Sequence, residues 1–349
     1  MSKLKIGIIG LGGIADFHSE GILASGEAEI WAICDEDEKR LAARRAQWNI
    51  PEERAYLSYS ELLRNPEVDA VTIGTPTVSH FAIAMAAIEH GKPFALEKPV
   101  GMNAEEAAAL RAALQNKPLP HMICFSYRYK AAARYAKQLI EEGRLGTIRH
   151  VYSQYLQEWG IHDDIPLVWR FVKSVTGSGA FGDLGCHILD LTRFLVGNTE
   201  RLIADADTII KQRDLLDGSG QGVVDVDDFC HVLSRMEGGI SASMLISRFA
   251  YGRGNYQQIE IYGSKGALVY NLEAADSLQV KFKEEGDEHF RQADIPDHCR
   301  TGQMQAFFHL VKGQGDGMDA TIEDGYINQL AVDAIIQSFT EERWITIQQ

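Results

Sequence analysis

Short apolar runs alternate with helically spaced stretches through the first 125 residues of the chain. Leu4–Gly10 is a continuous apolar run of strand length, and Ile14–Ser25 then repeats its apolar positions at helical spacing. The same alternation predicts strands at Glu29–Asp35, Asp69–Thr75, Phe94–Glu97 and His121–Ser126, and helices at Glu38–Trp48, Ser79–His90 and Asn103–Leu114. Strands that are buried on both faces and joined by helices predict an α/β domain with a parallel sheet over residues 1–126.

Beyond residue 126 the pattern changes to longer strands with alternating apolar positions. The predicted strands are Ile148–Trp159, Leu202–Ile210, Asp228–Met236, Gly239–Arg248, Gln257–Tyr262, Ala267–Asn271 and Trp344–Ile347. The predicted helices are Ala131–Glu142, Gly182–Val196, Thr301–Gly313 and Thr321–Thr340. Alternation with glycine and aspartate turns is typical of antiparallel strands, so residues 127–349 are predicted to form a second domain, an antiparallel sheet with helices on one face.

Composition excludes several classes of protein. A chain of 349 residues with 45% apolar and 24% charged residues has ordinary globular values, which excludes a disordered chain and a collagen-like fibre. The net charge of −15 repels phosphate backbones, so no nucleic-acid partner is predicted.

The cysteines and the apolar runs bear on the compartment. The five cysteines are scattered, and none is in C-x-x-C spacing, which argues against a disulfide framework or a zinc knuckle and favours a reducing, cytoplasmic location. No run approaches the ~18 apolar residues of a membrane-spanning helix, so no membrane association is predicted. Ile6–Ala15 follows two lysines as a signal peptide would, but its four glycines and the lack of a cleavage site favour a strand and turn.

The turn after the first predicted strand carries a dinucleotide-binding pattern. Gly10–Ala15 fits G-x-G-x-x-A between a strand and a helix: Gly10 permits a tight turn, Gly12 a close approach of the pyrophosphate, and Ala15 close packing of helix on strand. The amides at the helix start would face the phosphates. An ordinary glycine-rich turn is the alternative. Because the second predicted strand ends in an acid, we prefer dinucleotide binding and assign it to Gly10, Gly12, Gly13 and Ile14.

The second predicted strand ends in Asp35, 20 residues after Ala15. A carboxylate at this position accepts hydrogen bonds from the adenosine ribose hydroxyls and repels a 2′-phosphate, which favours NAD over NADP. Lys39 and Arg40 lie close by in the sequence and keep NADP open as a cofactor. We interpret these two basic residues as a solvated helix face.

A lysine follows a strand at the ligand-binding edge of the predicted parallel sheet. Glu97-Lys98-Pro99 ends the strand that begins at Phe94, and ligands bind outside the carboxyl ends of such strands. Lys98 there would hydrogen-bond a substrate hydroxyl and stabilise a developing alkoxide. A surface lysine leaving a strand is the equally weighted alternative.

A second group of reactive side chains lies in the glycine-rich segment Gly179–Asp190. Asp183 and His187 are four residues apart, so a helix places them on one face, with Asp190 near the same stripe. A carboxylate beside an imidazole suits a general base. The alternatives are a capping aspartate with a core histidine, or a metal pair. Because no third clustered histidine or cysteine completes a zinc set, no metal is predicted.

These motifs together resemble the glucose–fructose oxidoreductase, inositol dehydrogenase and rhizopine-catabolism family, Gfo/Idh/MocA. The resemblance covers essentially the whole chain. It rests on Gly10–Ala15, Thr75-Pro76-Thr77 with His80, Glu97-Lys98-Pro99, and Gly179–His187 followed by Leu189-Asp190-Leu191.

The resemblance implies a fold and a chemistry. The fold is an N-terminal Rossmann domain with a doubly wound parallel sheet, followed by a C-terminal α+β domain with a large, mostly antiparallel open sheet. The implied reaction is NAD(P)-dependent oxidation of a sugar or polyol hydroxyl, inositol dehydrogenase-like, or the reverse reduction. Family members often have a cis peptide before the proline of Glu97-Lys98-Pro99 and often form dimers or tetramers through the C-terminal sheet. The implied catalytic set is Lys98, Asp183 and His187, and the further cofactor contacts are Thr75, Pro76, His80, Glu97 and Lys98.

Aromatic and hydrogen-bonding residues of the second half are candidates for binding a sugar. Tyr127 and Arg128 follow a Rossmann strand, and the others lie on or after the long β segment. Packing of the aromatic side chains between the domains is the alternative for each. The residues assigned to the substrate are Tyr127, Arg128, Gln157, Trp159, Trp169, Arg170, Asp183 and His187.

The mechanism that follows assigns one role to each catalytic residue. His187 takes the proton of the alcohol, Asp183 orients the imidazole, and Lys98 stabilises the oxyanion, although Lys98 and His187 could exchange the base role. Two other functions remain as alternatives: an NAD(P)-sensing regulatory protein without turnover, and an NADP-linked keto-sugar reductase.

Overall fold

The chain divides into two compact units in the computed structural model, which describes residues 3–273 and 276–348. The first unit comprises Met1–Phe125 together with Thr301–Tyr326, and the second comprises Ser126–Arg300 and Ile327–Gln349. Each compact unit is thus built from two separate stretches of the chain. The domain ranges 1–126 and 127–349 stay a prediction.

The first unit contains a parallel sheet of six strands in the order β3-β2-β1-β4-β5-β6. The strands are β1 (Leu4–Ile9), β2 (Ala28–Cys34), β3 (Ala55–Tyr56), β4 (Ala70–Ile73), β5 (Phe94–Leu96) and β6 (His121–Ile123). The helices are α1 (Ile14–Ser25), α2 (Glu38–Trp48), α3 (Tyr59–Arg64), α4 (Thr77–Glu89) and α5 (Ala104–Asn116). This strand order is that of the doubly wound Rossmann fold, so the predicted fold of this part is confirmed.

Apolar runs explain why the sheet forms and where its ligand edge lies. Every residue of β4 is buried, and Ile83, Ala84 and Ala87 of α4 pack in the same core cluster. The carboxyl ends of parallel strands meet at one edge of the sheet. The residues that directly follow β1, β2, β4 and β5 at this edge are Gly10, Asp35, Gly74 and Glu97. The pattern did not predict β3, because a strand of two residues carries no periodicity. The short helix α3, of six residues, was not predicted either.

The second unit contains a sheet of nine strands in the order β16-β15-β14-β13-β7-β12-β11-β8-β17. The strands are β7 (Ile148–Leu156), β8 (Thr199–Asp207), β9 (Gln212–Asp214), β10 (Gln221–Val223), β11 (Phe229–Met236), β12 (Ile240–Ser247), β13 (Tyr256–Gly263), β14 (Gly266–Asn271), β15 (Ser277–Phe282), β16 (Arg291–Gln292) and β17 (Ile345–Thr346). All neighbours in this sheet are antiparallel except β7 and β12, and β9 pairs with β10 in a separate ribbon. The predicted large and mostly antiparallel sheet is confirmed.

The remaining helices are divided between the units. The second unit contains α6 (Ala131–Glu141), α7 (Lys173–Thr176) and α8 (Cys186–Val196), whereas α9 (Gln303–Val311) belongs to the first. The last helix, α10 (Ile322–Glu341), begins in the first unit and ends in the second. In the part of the chain that the structure describes, no helix combines the length and the apolar character needed to cross a bilayer.

The helix predicted from Gly182 to Val196 differs from the one observed. Residues Phe181–Gly185 form a π-turn, and regular α-helix begins only at Cys186. Glycine at position 185 allows the Phe181 ring to pack against the backbone of this turn, since a Cβ at Gly185 would lie 2.5 Å from that ring. Asp183 lies within the π-turn and His187 within α8, so the pair does not lie on one uninterrupted α-helix.

Candidate active site

The glycine-rich turn between β1 and α1 is built to admit a ligand. Gly10 has a φ of +88°, and a Cβ there would lie 2.6 Å from the carbonyl oxygen of Gly74, so only glycine fits. At Gly12 and Gly13 an added Cβ would meet nothing within 4 Å. The first turn of α1 has no side-chain cap, and Ile14 remains 38% exposed. These features fit the pyrophosphate of a dinucleotide.

Asp35 lies at the end of β2 and is tied to this turn. Its carboxylate accepts the Leu11 N–H at 2.8 Å and the Asp37 N–H at 2.9 Å. The Arg40 guanidinium lies 3.2 Å from the same carboxylate. Arg40 is therefore more than part of a solvated helix face, because it forms an ion pair with Asp35.

His80 joins the two loops that follow β4 and β5. Its Nε2 lies 2.8 Å from the carbonyl oxygen of Thr75, and its Nδ1 lies 2.7 Å from that of Pro99. The ring is buried, and burial lowers the pKa of His80. The prediction that His80 touches the cofactor is not supported by this burial; the imidazole instead holds Thr75, with the exposed Pro76, against the other loop.

The peptide bond between Lys98 and Pro99 is cis, as the resemblance implied. Lys98 is half-buried and follows β5 at the carboxyl edge of the sheet, which is the predicted position for a lysine that acts on a ligand. Its backbone N–H donates to the Glu97 carboxylate at 3.3 Å.

Glu97 belongs to a buried polar cluster that the sequence did not predict. Its Oε1 lies 3.0 Å from Nε2 of His18, and donor atoms of His18, Glu97 and Cys124 lie within 4.8 Å of one another. Burial is the largest single influence and raises the pKa of Glu97, but the His18 hydrogen bond and the charges of His18, Lys98 and His80 together outweigh it, so the pKa is lowered. Burial also raises the pKa of the Cys124 thiol. We interpret the cluster as a hydrogen-bonded support for the backbone of Lys98, since Glu97 accepts from both His18 and the Lys98 N–H.

In the second unit, His187 lies against two tyrosines. Its imidazole is 9% exposed, and the Tyr127 ring meets it edge-on with 4.8 Å between ring centroids. The Tyr155 ring centroid is 6.3 Å away. Tyr127, which is a predicted substrate contact, lies beside His187, whereas Tyr155 was not predicted. Strand alternation places Tyr155 on the buried face of β7, and that was the only signal available.

The tyrosine hydroxyls belong to a closed hydrogen-bond network. The Tyr127 and Tyr155 hydroxyl oxygens are 2.7 Å apart, and Tyr155 donates to Asn255 Oδ1 at 2.7 Å. The Gln157 amide donates to the same Asn255 oxygen at 2.8 Å, and the Asn255 amide donates to Tyr127 at 3.3 Å. Burial raises the pKa of Tyr155, so its hydroxyl stays protonated. Polar groups suited to sugar hydroxyls are therefore linked to the two tyrosines that border His187.

Asp183 and Arg170 form the more exposed part of this site. The Arg170 Nε lies 3.4 Å from Asp183 Oδ2, and the guanidinium stacks 4.5 Å from the centre of the Trp169 ring. Trp169 is 40% exposed, so an aromatic face is open to solvent next to a paired carboxylate. That Asp183, Arg170 and Trp169 contact the substrate stays a prediction.

Two predicted substrate contacts have structural surroundings instead. Arg128 is 3% exposed and donates to both oxygens of Asp190 at 2.7 and 2.6 Å, so its guanidinium is committed inside the unit. Asp190 accordingly holds Arg128 and does not extend the Asp183–His187 stripe. Trp159 packs on Phe171, with 5.6 Å between ring centroids. Both residues fit structural packing better than ligand contact.

Models of known families match both halves of the chain. Residues 4–125 match an oxidoreductase family with an NAD-binding Rossmann fold. Residues 133–269 match the C-terminal domain of the Gfo/Idh/MocA proteins.

Characterised relatives match over nearly the full chain. Levoglucosan dehydrogenase of Pseudarthrobacter phenanthrenivorans is 33% identical, covering 100% of this chain and 99% of the relative. Myo-inositol 2-dehydrogenase of Thermotoga maritima is 25% identical, covering 99% of each. A solved structure of levoglucosan dehydrogenase in complex with NADH superimposes with a TM-score of 0.92 at 31% identity, over 100% of both chains. The chain therefore belongs to the Gfo/Idh/MocA family and is an NAD-dependent dehydrogenase.

Proposed function

We propose that the protein transfers hydride between a secondary hydroxyl of a sugar, anhydrosugar or cyclic polyol and NAD. The observation that carries this proposal is the surroundings of His187, a nearly buried imidazole that packs against the rings of Tyr127 and Tyr155, whose hydroxyls hydrogen-bond to each other and to Asn255. A candidate base beside groups that recognise hydroxyls suits an alcohol substrate. The relatives named for levoglucosan and myo-inositol support the substrate class.

The groups of the first unit would hold the cofactor. Gly12 and Gly13 leave the backbone open to the pyrophosphate, and Asp35 is placed for the adenosine ribose. NAD, when bound, supplies the hydride acceptor. His80 and Glu97 support the loops on which Thr75 and Lys98 lie.

The remaining steps belong to three side chains. His187 takes the proton of the substrate hydroxyl, and the Tyr127 ring restricts the orientation of the imidazole. Asp183, which forms an ion pair with Arg170, stabilises the imidazolium and accepts a hydrogen bond from a neighbouring hydroxyl. We assign stabilisation of the oxyanion to Lys98 on the basis of its motif, and Lys98 and His187 could still exchange the base role.

A substrate screen tests this function. Purified protein is incubated with inositols, hexoses, pentoses, anhydrosugars or glycosides and either NAD or NADP, and absorbance of the reduced cofactor is followed. We expect turnover of a neutral cyclic substrate with NAD. Tight binding of NADH with no turnover of any sugar or polyol would instead support a cofactor-sensing protein, and turnover of keto-sugars with NADPH alone would support the reductase.

Replacing Asp35 with serine is expected to change the cofactor preference from NAD towards NADP by about tenfold or more, which corresponds to about 1.4 kcal/mol. The substitution removes the charge that opposes a 2′-phosphate, and it releases Arg40 to pair with that phosphate. Dissociation constants for both cofactors measure the effect. The control is Glu36→Ser, which removes the same charge from an exposed neighbour. Wild-type protein that prefers NADP would disprove the role of Asp35.

The exposed face of the nine-stranded sheet is expected to join copies of this chain into a homodimer or homotetramer. One row of cross-strand neighbours on this face contains Ile203, Leu233, Ser243, Tyr152, Glu260 and Val269. Leu233 is 57% exposed and Tyr152 is 50% exposed. Large apolar side chains exposed on one face of a sheet are typical of an interaction site.

Light scattering measures the assembly. We expect an oligomer mass for the wild type and for Leu216→Arg, which alters an apolar residue 74% exposed in the turn between β9 and β10. Leu233→Arg should shift the mass towards the monomer. A monomeric wild type at micromolar concentration would show that this face does not join copies.

A further inference from the structure

The start of the segment that carries Asp183 and His187 is hydrogen-bonded to a single distant residue. The Gly179 N–H donates to Asp227 Oδ1 at 2.8 Å, and the Phe181 N–H donates to Asp227 Oδ2 at 2.8 Å. Between them, the Ala180 N–H donates to the backbone carbonyl of Asp227 at 2.9 Å. Three consecutive amides are thus satisfied by one residue that lies more than 40 positions further along the chain.

This contact performs the work of a helix cap. The first amides of a helix have no partner within it, and the residue that precedes the π-turn, Ala180, has no side chain able to cap them. The Asp227 carboxylate also places a negative charge at the positive end of the helix dipole. Gly179 is required for the approach, because a Cβ there would lie 2.5 Å from the Asp227 nitrogen. Asp227 is 9% exposed, so water does not compete strongly for these amides.

The anchored amides lie at the start of the π-turn, since Gly179 and Ala180 precede it and Phe181 is its first residue. Phe181–Gly185 adopts i→i+5 geometry, which is rare and persists only where the surroundings determine it. Asp183 lies in that turn, and His187 follows in the first turn of α8. A change at the anchored end would therefore move both side chains relative to the Tyr127 ring and to Arg170.

We propose that Asp227 is a positioning residue for the dehydrogenase reaction, whose carboxylate anchors the π-turn and α8 and so sets the places of Asp183 and His187. This proposal rests on the proposed function, in which those two side chains act on the substrate. Asp227 itself contacts backbone amides and takes no part in proton transfer.

The first test compares two neighbouring carboxylates. Asp227→Asn keeps the size of the side chain but turns an N–H₂ group towards a backbone N–H. Asp225→Asn is the matched control, since Asp225 is exposed and its carboxylate accepts from the Lys173 amide. We expect Asp227→Asn to lower kcat by about 10–100-fold, as small misplacements of reacting groups do. NAD affinity and the kinetics of Asp225→Asn should remain near wild type.

Chemical rescue provides a readout that a merely structural role would not give. A cavity of about 200 Å³ is lined by Asp227, Ser178, Asp225, Lys173 and Phe339, among others, so a small carboxylate can reach the place that a truncated side chain vacates. For Asp227→Gly we expect formate to restore kcat in a saturable manner. Formate should not restore His187→Ala, because that variant lacks the base and keeps the anchor.

Hydrogen exchange separates failure of this proposal from failure of the proposed function. In Asp227→Asn the amides of Gly179–Phe181 should exchange faster, while those of Gly10–Ala15 stay unchanged; this needs no substrate. If the wild type turned over no sugar or polyol, the proposed function would fail, and faster exchange would still establish the anchor.

Several results would overturn the positioning role. These are unchanged exchange at Gly179–Phe181, wild-type kcat in Asp227→Asn, and a lower melting temperature with no change in kcat. Loss of folding in both Asp227→Asn and Asp227→Gly, with and without formate, would likewise make Asp227 a residue of stability alone.

Discussion

His187→Ala is expected to lower kcat by ~10²–10⁴-fold on the best substrate of the screen, which is the usual contribution of a positioned general base. The structure provides the reason: the imidazole is held at the edge of the Tyr127 ring, next to a network of hydroxyl and amide groups. NAD affinity should stay nearly unchanged, because none of the groups assigned to the cofactor lies in α8. Steady-state turnover and titration with NADH measure the two quantities separately.

A matched histidine variant controls for the loss of an imidazole. His289→Ala removes an exposed ring from the same unit and should leave kcat and NAD affinity at wild-type values. Near-wild-type turnover of His187→Ala, or loss of its NAD binding, would show that His187 is not the base on the substrate side.

Lys98→Met is expected to reduce kcat by a similar factor, ~10²–10⁴-fold. Methionine keeps most of the length of the side chain but lacks the ammonium that would stabilise an oxyanion. Glu97, which His18 holds by a hydrogen bond, accepts from the backbone N–H of Lys98 and so supports the backbone from which the side chain extends. Lys117→Met, an exposed lysine of the same unit, should retain full activity.

The double variant distinguishes a shared proton relay from independent contributions. If Lys98 and His187 act as one unit, the double variant should be little slower than either single variant, because removing one member already disables the relay. Multiplication of the two losses would indicate independent roles. Wild-type kcat in Lys98→Met would remove Lys98 from the catalytic set.

Local sequence signals were sufficient for the cofactor half of the fold. A strand, a glycine turn and a helix follow one another within about 25 residues, and Asp35 ends the next strand. Such features depend on neighbours in the chain, and parallel strands must bring their carboxyl ends to one edge. The turn at Gly10 and the place of Lys98 after β5 could therefore be predicted before any tertiary contact was known.

Polar residues in the core were harder to interpret, because a motif does not reveal whether a side chain faces a ligand or the protein. His80, Glu97 and Arg128 were all predicted as ligand contacts, yet each is buried and bonded within its own unit. A buried polar group needs a partner to offset its desolvation, and that partner is set by the fold.

The sequence by itself determined the two sheets, the family, the glycine turn with Asp35, and the three candidates for chemistry. The tertiary structure alone decided the surroundings of His187, since Tyr155 and Asn255 are 100 positions apart and meet only because β7 pairs with β13. The anchoring of Gly179–Phe181 by Asp227 was decided in the same way. Hydrophobic periodicity is local and can be read along one strand or helix, whereas a hydrogen bond between distant positions exists only after the strands have paired.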